Sequence, residues 1–170
     1  EANLVEFQFS PAVISKAVEA QAQEIATQVI SKLNMVGLLA VEFFLTKTGE
    51  LLVNEIAPRP HNSGHHTIEC CYTSQFAQHL RSILNLPLGD TGLIIPGAML
   101  NILGSPGHEG PAVYEGLEDI LSLSGVYVHL YGKSHTKPFR KMGHVTILGD
   151  DLSVIKEKAE IVKNRLMCIA

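Results

Sequence analysis

The chain has 170 residues, 46% of them hydrophobic and 18% charged, with a formal net charge of −4. That is enough apolar material for one large domain or two small ones, and the acidic balance argues against a general nucleic-acid binder, which would carry a basic surface. No signal peptide or bilayer-length apolar run is visible, and Cys70, Cys71 and Cys168 have neither zinc-knuckle nor disulfide spacing, so a cytoplasmic protein without membrane contact is expected.

Residues 4–9 alternate as a strand. Ser10 and Pro11 then read as an N-cap and a first helical position. Val13, Ile14, Ala17, Val18, Ile25, Val29 and Leu33 recur at helical spacing, which predicts an amphipathic helix over 11–33 ending near Asn34. Residues 36–45 and 51–57 are apolar runs joined by Thr46-Lys47-Thr48-Gly49-Glu50, the composition of a tight hairpin with Gly49 at positive φ. Two registers are open. A two-residue turn at Thr48-Gly49 sets Glu42 opposite Glu55. A type I turn with a glycine bulge sets Glu42 opposite Asn54, with Glu55 one step along. In either case the two carboxylates share one level of the hairpin, and a bulge can re-aim one of them.

Residues 59–67 lack a hydrophobic period and read as a loop. Thr73 or Ser74 caps a helix carrying Phe76, Ala77, Leu80, Ile83 and Leu84. Leu86-Pro87-Leu88-Gly89-Asp90 is a connector that divides the chain into 1–90 and 91–170. Beyond it follow a strand over 98–103, a Gly/Pro-rich loop over 104–111, a short helix over 117–123 and strands over 126–131 and 143–148. The last helix, capped by Ser153, carries Ile155, Ala159, Val162 and Leu166 on one face. These elements predict an α+β fold.

Three clusters carry chemistry. Glu42 and Glu55 lie in strands that look buried, where carboxylates are costly unless neutralised. A divalent cation with oxygen ligands is one answer. Solvent exposure, or pairing with Arg59, is the other. The stretch Arg59-Pro60-His61-Asn62-Ser63-Gly64-His65-His66 offers a planar guanidinium for a carboxylate, bicarbonate or phosphate. Its three histidines do not share a helical face, which disfavours zinc. Lys133, Lys137, Arg140 and Lys141 form either an anion site or a solvated basic turn. His79, His108 and His129 have no neighbours of like chemistry in sequence and read as structural or surface residues.

Gly37-Leu38-Leu39-Ala40-Val41-Glu42-Phe43-Phe44 followed by Asn54-Glu55-Ile56-Ala57-Pro58-Arg59-Pro60-His61-Asn62-Ser63-Gly64-His65 closely resembles the ATP-grasp signature of the N5-carboxyaminoimidazole ribonucleotide synthetases. Ser74-Gln75-Phe76, His79-Leu80-Arg81, Leu86-Pro87-Leu88 and Met99-Leu100-Asn101-Ile102-Leu103-Gly104 continue the likeness, as do Tyr131-Gly132-Lys133 and Arg140-Lys141-Met142-Gly143-His144. The resemblance implies an ATP-grasp second subdomain, an antiparallel sheet with helices, over 1–90, and a small β-rich C-terminal domain over 91–170.

It also implies a reaction. ATP phosphorylates bicarbonate to carboxyphosphate, and the amino group of 5-aminoimidazole ribonucleotide takes the carboxyl group, with ADP and phosphate released, in purine biosynthesis. By the same resemblance Glu42 and Glu55 hold Mg²⁺, Asn54 and Glu55 meet the nucleotide, and Arg59, His61 and Asn62 are catalytic. Lys133 and Arg140 grip the ribonucleotide phosphate, and the enzyme is a homodimer. The family's N-terminal domain and glycine-rich nucleotide loop have no counterpart here. The chain is therefore expected to match the C-terminal portion and to be inactive alone. A bifunctional carboxylase with the same synthetase half, or a non-catalytic module of ATP-grasp type, would share these motifs.

Overall fold

A computed structural model describes residues 7–170, so the expected strand residues 4–6 lie outside the described residues. In chain order the elements are β1 (Phe7–Ser10), α1 (Lys16–Lys32), β2 (Ala40–Leu45), β3 (Leu51–Ala57), a 3₁₀ turn (Asn62–Gly64), α2 (Thr67–Cys70), α3 (Gln75–Ile83), β4 (Gly97–Leu103), β5 (Gly110–Pro111) and β6 (Val113–Glu115). There follow α4 (Leu117–Leu121), β7 (Val126–Leu130), β8 (His135–Thr136), β9 (Lys141–Leu148), α5 (Leu152–Arg165) and β10 (Met167–Ile169). This mixture of helices and antiparallel sheets is the α+β architecture expected from the sequence. The described residues fall into two compact units.

One unit comprises Ala12–Ile68 and Tyr72–Gly92. Its helix α1 starts later than the sequence suggested. Ser10 is extended as the last residue of β1, paired with Gly97, so it cannot cap a helix. Ser15 takes that role, its Oγ accepting from the Val18 N–H at 3.3 Å. Asn34, at φ 49°, follows the helix as expected.

The β2–β3 hairpin turns through Gly49 at φ 86°, whose N–H donates to the Thr46 carbonyl at 3.0 Å. Next to the turn the glycine-bulge register holds, with Leu45 opposite Leu51 and Phe43 opposite Val53. One step further the pairing shifts. Glu42 faces Glu55, Val41 faces Ile56, and Asn54 is the extra residue of a bulge. Ser74, not Thr73, caps α3, accepting from the Ala77 N–H at 3.2 Å.

The other unit comprises residues 7–11, Glu69–Cys71 and Leu93–Ala170. Its main sheet runs β1-β4-β9-β7, antiparallel throughout. Strand alternation divides the faces. Ala98, Leu100, Ile102, Val145 and Ile147 join Ile155, Ala159 and Val162 of α5 and Ile120 of α4 in the core. The other face carries Met99, Asn101, His129, His144 and Thr146. Helix α5 is capped by Asp151 rather than Ser153. The Asp151 Oδ1 accepts from the Ser153 N–H at 2.7 Å, which holds its carboxyl below the usual range. The two-stranded pairs β5–β8 and β6–β10 were not anticipated, because such short pieces leave no period to read.

Lys137-Pro138-Phe139-Arg140 is a turn closed by the Arg140 N–H on the Lys137 carbonyl at 3.0 Å. Phe139 has φ 63° where glycine is the usual occupant, and 47% of it is exposed. Phe139→Gly is expected to stabilise the fold by about 0.5–1 kcal/mol, because relief of a left-handed backbone outweighs the added chain entropy and little packing is lost. A higher urea midpoint at unchanged m-value checks it.

Candidate active site

The Asn54 bulge decides where the carboxylates point. Had the register near the turn continued, Glu42 would face Asn54, and Glu55 would lie on the opposite face of the ribbon. With one residue inserted, Glu42 and Glu55 are direct cross-strand partners on one face. A single imidazole touches both. His61 Nδ1 lies 3.5 Å from Glu42 Oε1, and His61 Nε2 lies 3.8 Å from Glu55 Oε1. Neither carboxylate pairs with Arg59. Among the described residues the Arg59 guanidinium makes one hydrogen bond, Nη1 donating to the Pro60 carbonyl at 3.1 Å, and the side chain is exposed. Two like charges opposed across a ribbon repel unless a positive group lies between them.

The loop after β3 holds His61 in place by a short-range network. The loop is more ordered than its lack of period suggested, because Asn62–Gly64 forms a 3₁₀ turn. His61 caps that turn, its Nδ1 accepting from the Ser63 N–H at 3.5 Å and lying 2.8 Å from Ser63 Oγ. Asn62 opens the turn, and its carbonyl accepts from the His65 N–H at 3.2 Å. The three histidines engage different partners. His65 stacks on Phe76 with ring centroids 5.7 Å apart, and His66 Nδ1 lies 2.9 Å from the Ser63 carbonyl. Burial pushes His66 below its ordinary value, and the Ser63 hydrogen bond opposes that shift.

Gln75 is the residue that sequence reading missed. Its buried side-chain amide grips the His61 backbone from both sides. Gln75 Oε1 accepts from the His61 N–H at 2.8 Å, and Nε2 donates to the His61 carbonyl at 2.8 Å. Nε2 also lies 3.0 Å from His65 Nδ1, and a Cβ on Gly64 would press on the same amide. Nothing in composition flags a glutamine at the start of a helix. Gln75→Ala is expected to cost about 2–3 kcal/mol, since it orphans both His61 backbone groups. Gln75→Glu should not rescue it, because a carboxylate has no donor for the His61 carbonyl. Chemical denaturation of the two variants checks this.

The basic segment belongs to the other unit and is anchored through carbonyls. Lys133 Nζ donates to the Lys141 carbonyl and lies 5.6 Å from the Tyr131 ring centroid. Arg140 Nη1 donates to the His135 carbonyl at 2.8 Å. Gly104, the residue after β4, closes this segment. Its N–H donates to the Arg140 carbonyl at 2.9 Å, and its carbonyl accepts from the Phe139 N–H at 2.8 Å. His129, which looked solitary in sequence, lies against Glu69 and His144. His79 accepts from the Leu38 N–H through Nδ1 at 3.1 Å, a structural role.

Residues 1–76 match the ATP-grasp domain family, and residues 97–158 match the phosphoribosylaminoimidazole carboxylase C-terminal domain family. The N5-carboxyaminoimidazole ribonucleotide synthase of Bacillus subtilis is 49% identical over 138 residues, covering 81% of this chain and 35% of the relative. The crystal structure of N5-carboxyaminoimidazole ribonucleotide synthetase from Thermotoga maritima superposes with TM-score 0.93 at 51% identity, covering 96% of this chain and 46% of that one. The Aspergillus clavatus synthase in complex with ADP and 5-aminoimidazole ribonucleotide superposes with TM-score 0.86 at 34% identity, covering 96% and 44%. The chain thus spans about a third of the length of the curated relatives it matches.

Proposed function

Because the chain belongs to the N5-carboxyaminoimidazole ribonucleotide synthase family, to whose C-terminal portion it corresponds, we propose that it supplies the cation-holding and phosphate-holding parts of an ATP-dependent ligase. That ligase carboxylates 5-aminoimidazole ribonucleotide with bicarbonate through carboxyphosphate, in purine biosynthesis. The observation that carries the reading is the bulge that turns Glu42 and Glu55 to one face against a shared imidazole.

The donor set fits Mg²⁺, a hard cation that takes carboxylate oxygens and usually completes its shell with water and phosphate oxygens. Glu42 and Glu55 would hold it, and it would supply neutralisation of the nucleotide's phosphate charge. The chain's own residues do the rest by positioning. Asn54 and Glu55 meet the nucleotide. The exposed guanidinium of Arg59 holds bicarbonate or carboxyphosphate through planar paired donors. His61 and Asn62, locked by the 3₁₀ turn and the Gln75 clamp, keep that face shaped. Lys133 and Arg140 grip the ribonucleotide phosphate.

In this reading 1–90 serves the nucleotide and 91–170 completes the substrate side, with β1 and Glu69–Cys71 grouped with the later unit. The working form is a homodimer. The three free cysteines suit the reducing cytoplasm, and no helix among the described residues is long and apolar enough to cross a membrane. The test is ADP release that depends on bicarbonate and 5-aminoimidazole ribonucleotide. Arg140→Ala should raise the KM for the ribonucleotide about 10- to 100-fold, the value of a charge-assisted hydrogen bond. An unchanged KM would reject the phosphate assignment.

A further inference from the structure

Resting on that reading of Lys133, we infer that Glu69, His129, His144 and Tyr131 form a positioning chain that aims the Lys133 ammonium at the substrate phosphate. His129 on β7 and His144 on β9 are direct cross-strand partners, so their side chains share one face. Their rings stack with centroids 4.5 Å apart and planes at 11°. At one end His129 Nε2 lies 2.7 Å from Glu69 Oε1. An ionised carboxylate only accepts, so the ring N–H donates and the ring plane is fixed. The Glu69 side chain is 10% exposed, and its second oxygen is buried without a hydrogen-bond partner. His129 is therefore the anchor of that carboxylate.

At the other end His144 Nδ1 lies 3.1 Å from the Tyr131 hydroxyl. His144 is 3% exposed, so the tyrosine is tied to a ring that cannot move freely. The Tyr131 ring then faces Lys133 Nζ at 5.6 Å, and the same ammonium donates to the Lys141 carbonyl. An ammonium has three donors. With one on the Lys141 carbonyl, two remain for a phosphate oxygen.

A purely structural face would not need this arrangement. The opposite face of the same two strands pairs Val128 with Val145 and Val126 with Ile147 and packs well. Burying a glutamate with an unsatisfied oxygen and a histidine pair on the polar face is costly. The Glu69 part of that cost lies at the start of the line that ends on Lys133.

The experiment is steady-state kinetics on the intact ligase carrying this chain, with 5-aminoimidazole ribonucleotide and, in parallel, the riboside that lacks the phosphate. Glu69→Ala should raise the KM for the ribonucleotide about three- to ten-fold, the range of a displaced cation–π contact and hydrogen bond, with kcat and the KM for ATP within about two-fold. Glu69→Gln, whose amide oxygen accepts the same N–H, should restore it. Tyr131→Phe keeps the ring and loses the hydroxyl, and should raise the KM about three-fold. None of these variants should alter the KM for the riboside. If Glu69→Ala does not fold, Tyr131→Phe carries the test. The inference is overturned if Lys133→Ala raises the ribonucleotide KM while Glu69→Ala and Tyr131→Phe leave it unchanged, or if they impair both substrates equally. An unchanged KM in Lys133→Ala itself would remove the phosphate reading of that lysine, and this inference with it.

Discussion

Glu55→Gln and Glu42→Gln, made singly in the intact ligase, should each lower kcat for bicarbonate-dependent ATP turnover about 10²- to 10³-fold while leaving the fold in place. The size follows from what is lost. A cation neutralising the charge that develops on transferring phosphate is worth several kcal/mol, and each tenfold in rate is about 1.4 kcal/mol. The fold should survive because both side chains lie on an accessible face of a ribbon, 34% exposed for Glu42 and 55% for Glu55. Removing one charge also relieves the repulsion of the pair. The double variant should be little worse than either single one, since the two carboxylates act as one ligand set. A non-catalytic module predicts unchanged turnover in all three. Steady-state kinetics with Mg²⁺ varied separates the outcomes.

The second large effect lies at Gly104. A Cβ there would overlap the Lys137 carbonyl oxygen and Thr136 Oγ1. Backbone cannot step aside as a flexible side chain can, so Gly104→Ala should destabilise the fold by about 2–4 kcal/mol. It should also raise the KM for the ribonucleotide, because the Gly104 backbone is hydrogen-bonded to both Phe139 and Arg140. The stability loss is read by urea unfolding and the KM by the coupled assay. A variant of normal stability would show that the Lys137–Arg140 turn is not braced from β4.

The elements that carry chemistry were legible where composition and period agreed. The hairpin, its Gly49 turn and the level shared by Glu42 and Glu55 followed from two apolar runs and one turn. The register did not, because it changes partway along. The glycine-bulge pairing holds beside the turn and is displaced beyond Phe43. Asn54, the inserted residue, has no glycine or proline signature, so the bulge that aims Glu55 is set by backbone pairing alone. Ser10 and Ser15 are equally good caps in isolation, and the pairing of Ser10 with Gly97 decides between them. Asp151 takes the place of Ser153 through a local bond, its Oδ1 accepting from the Ser153 N–H. The roles of Gln75 and Glu69 were invisible for a different reason. Each acts on residues that are distant in sequence, His61 and His129, and no local pattern marks such a contact.

The account turns on one shared cation. Crystals of the intact ligase grown with ADP and Mn²⁺ in place of Mg²⁺ offer the direct measurement through anomalous scattering. The predicted result is a manganese peak within about 2.0–2.4 Å of a carboxylate oxygen from both Glu42 and Glu55 and of a phosphate oxygen of the nucleotide. A peak beside the nucleotide phosphates that neither carboxylate reaches would contradict it.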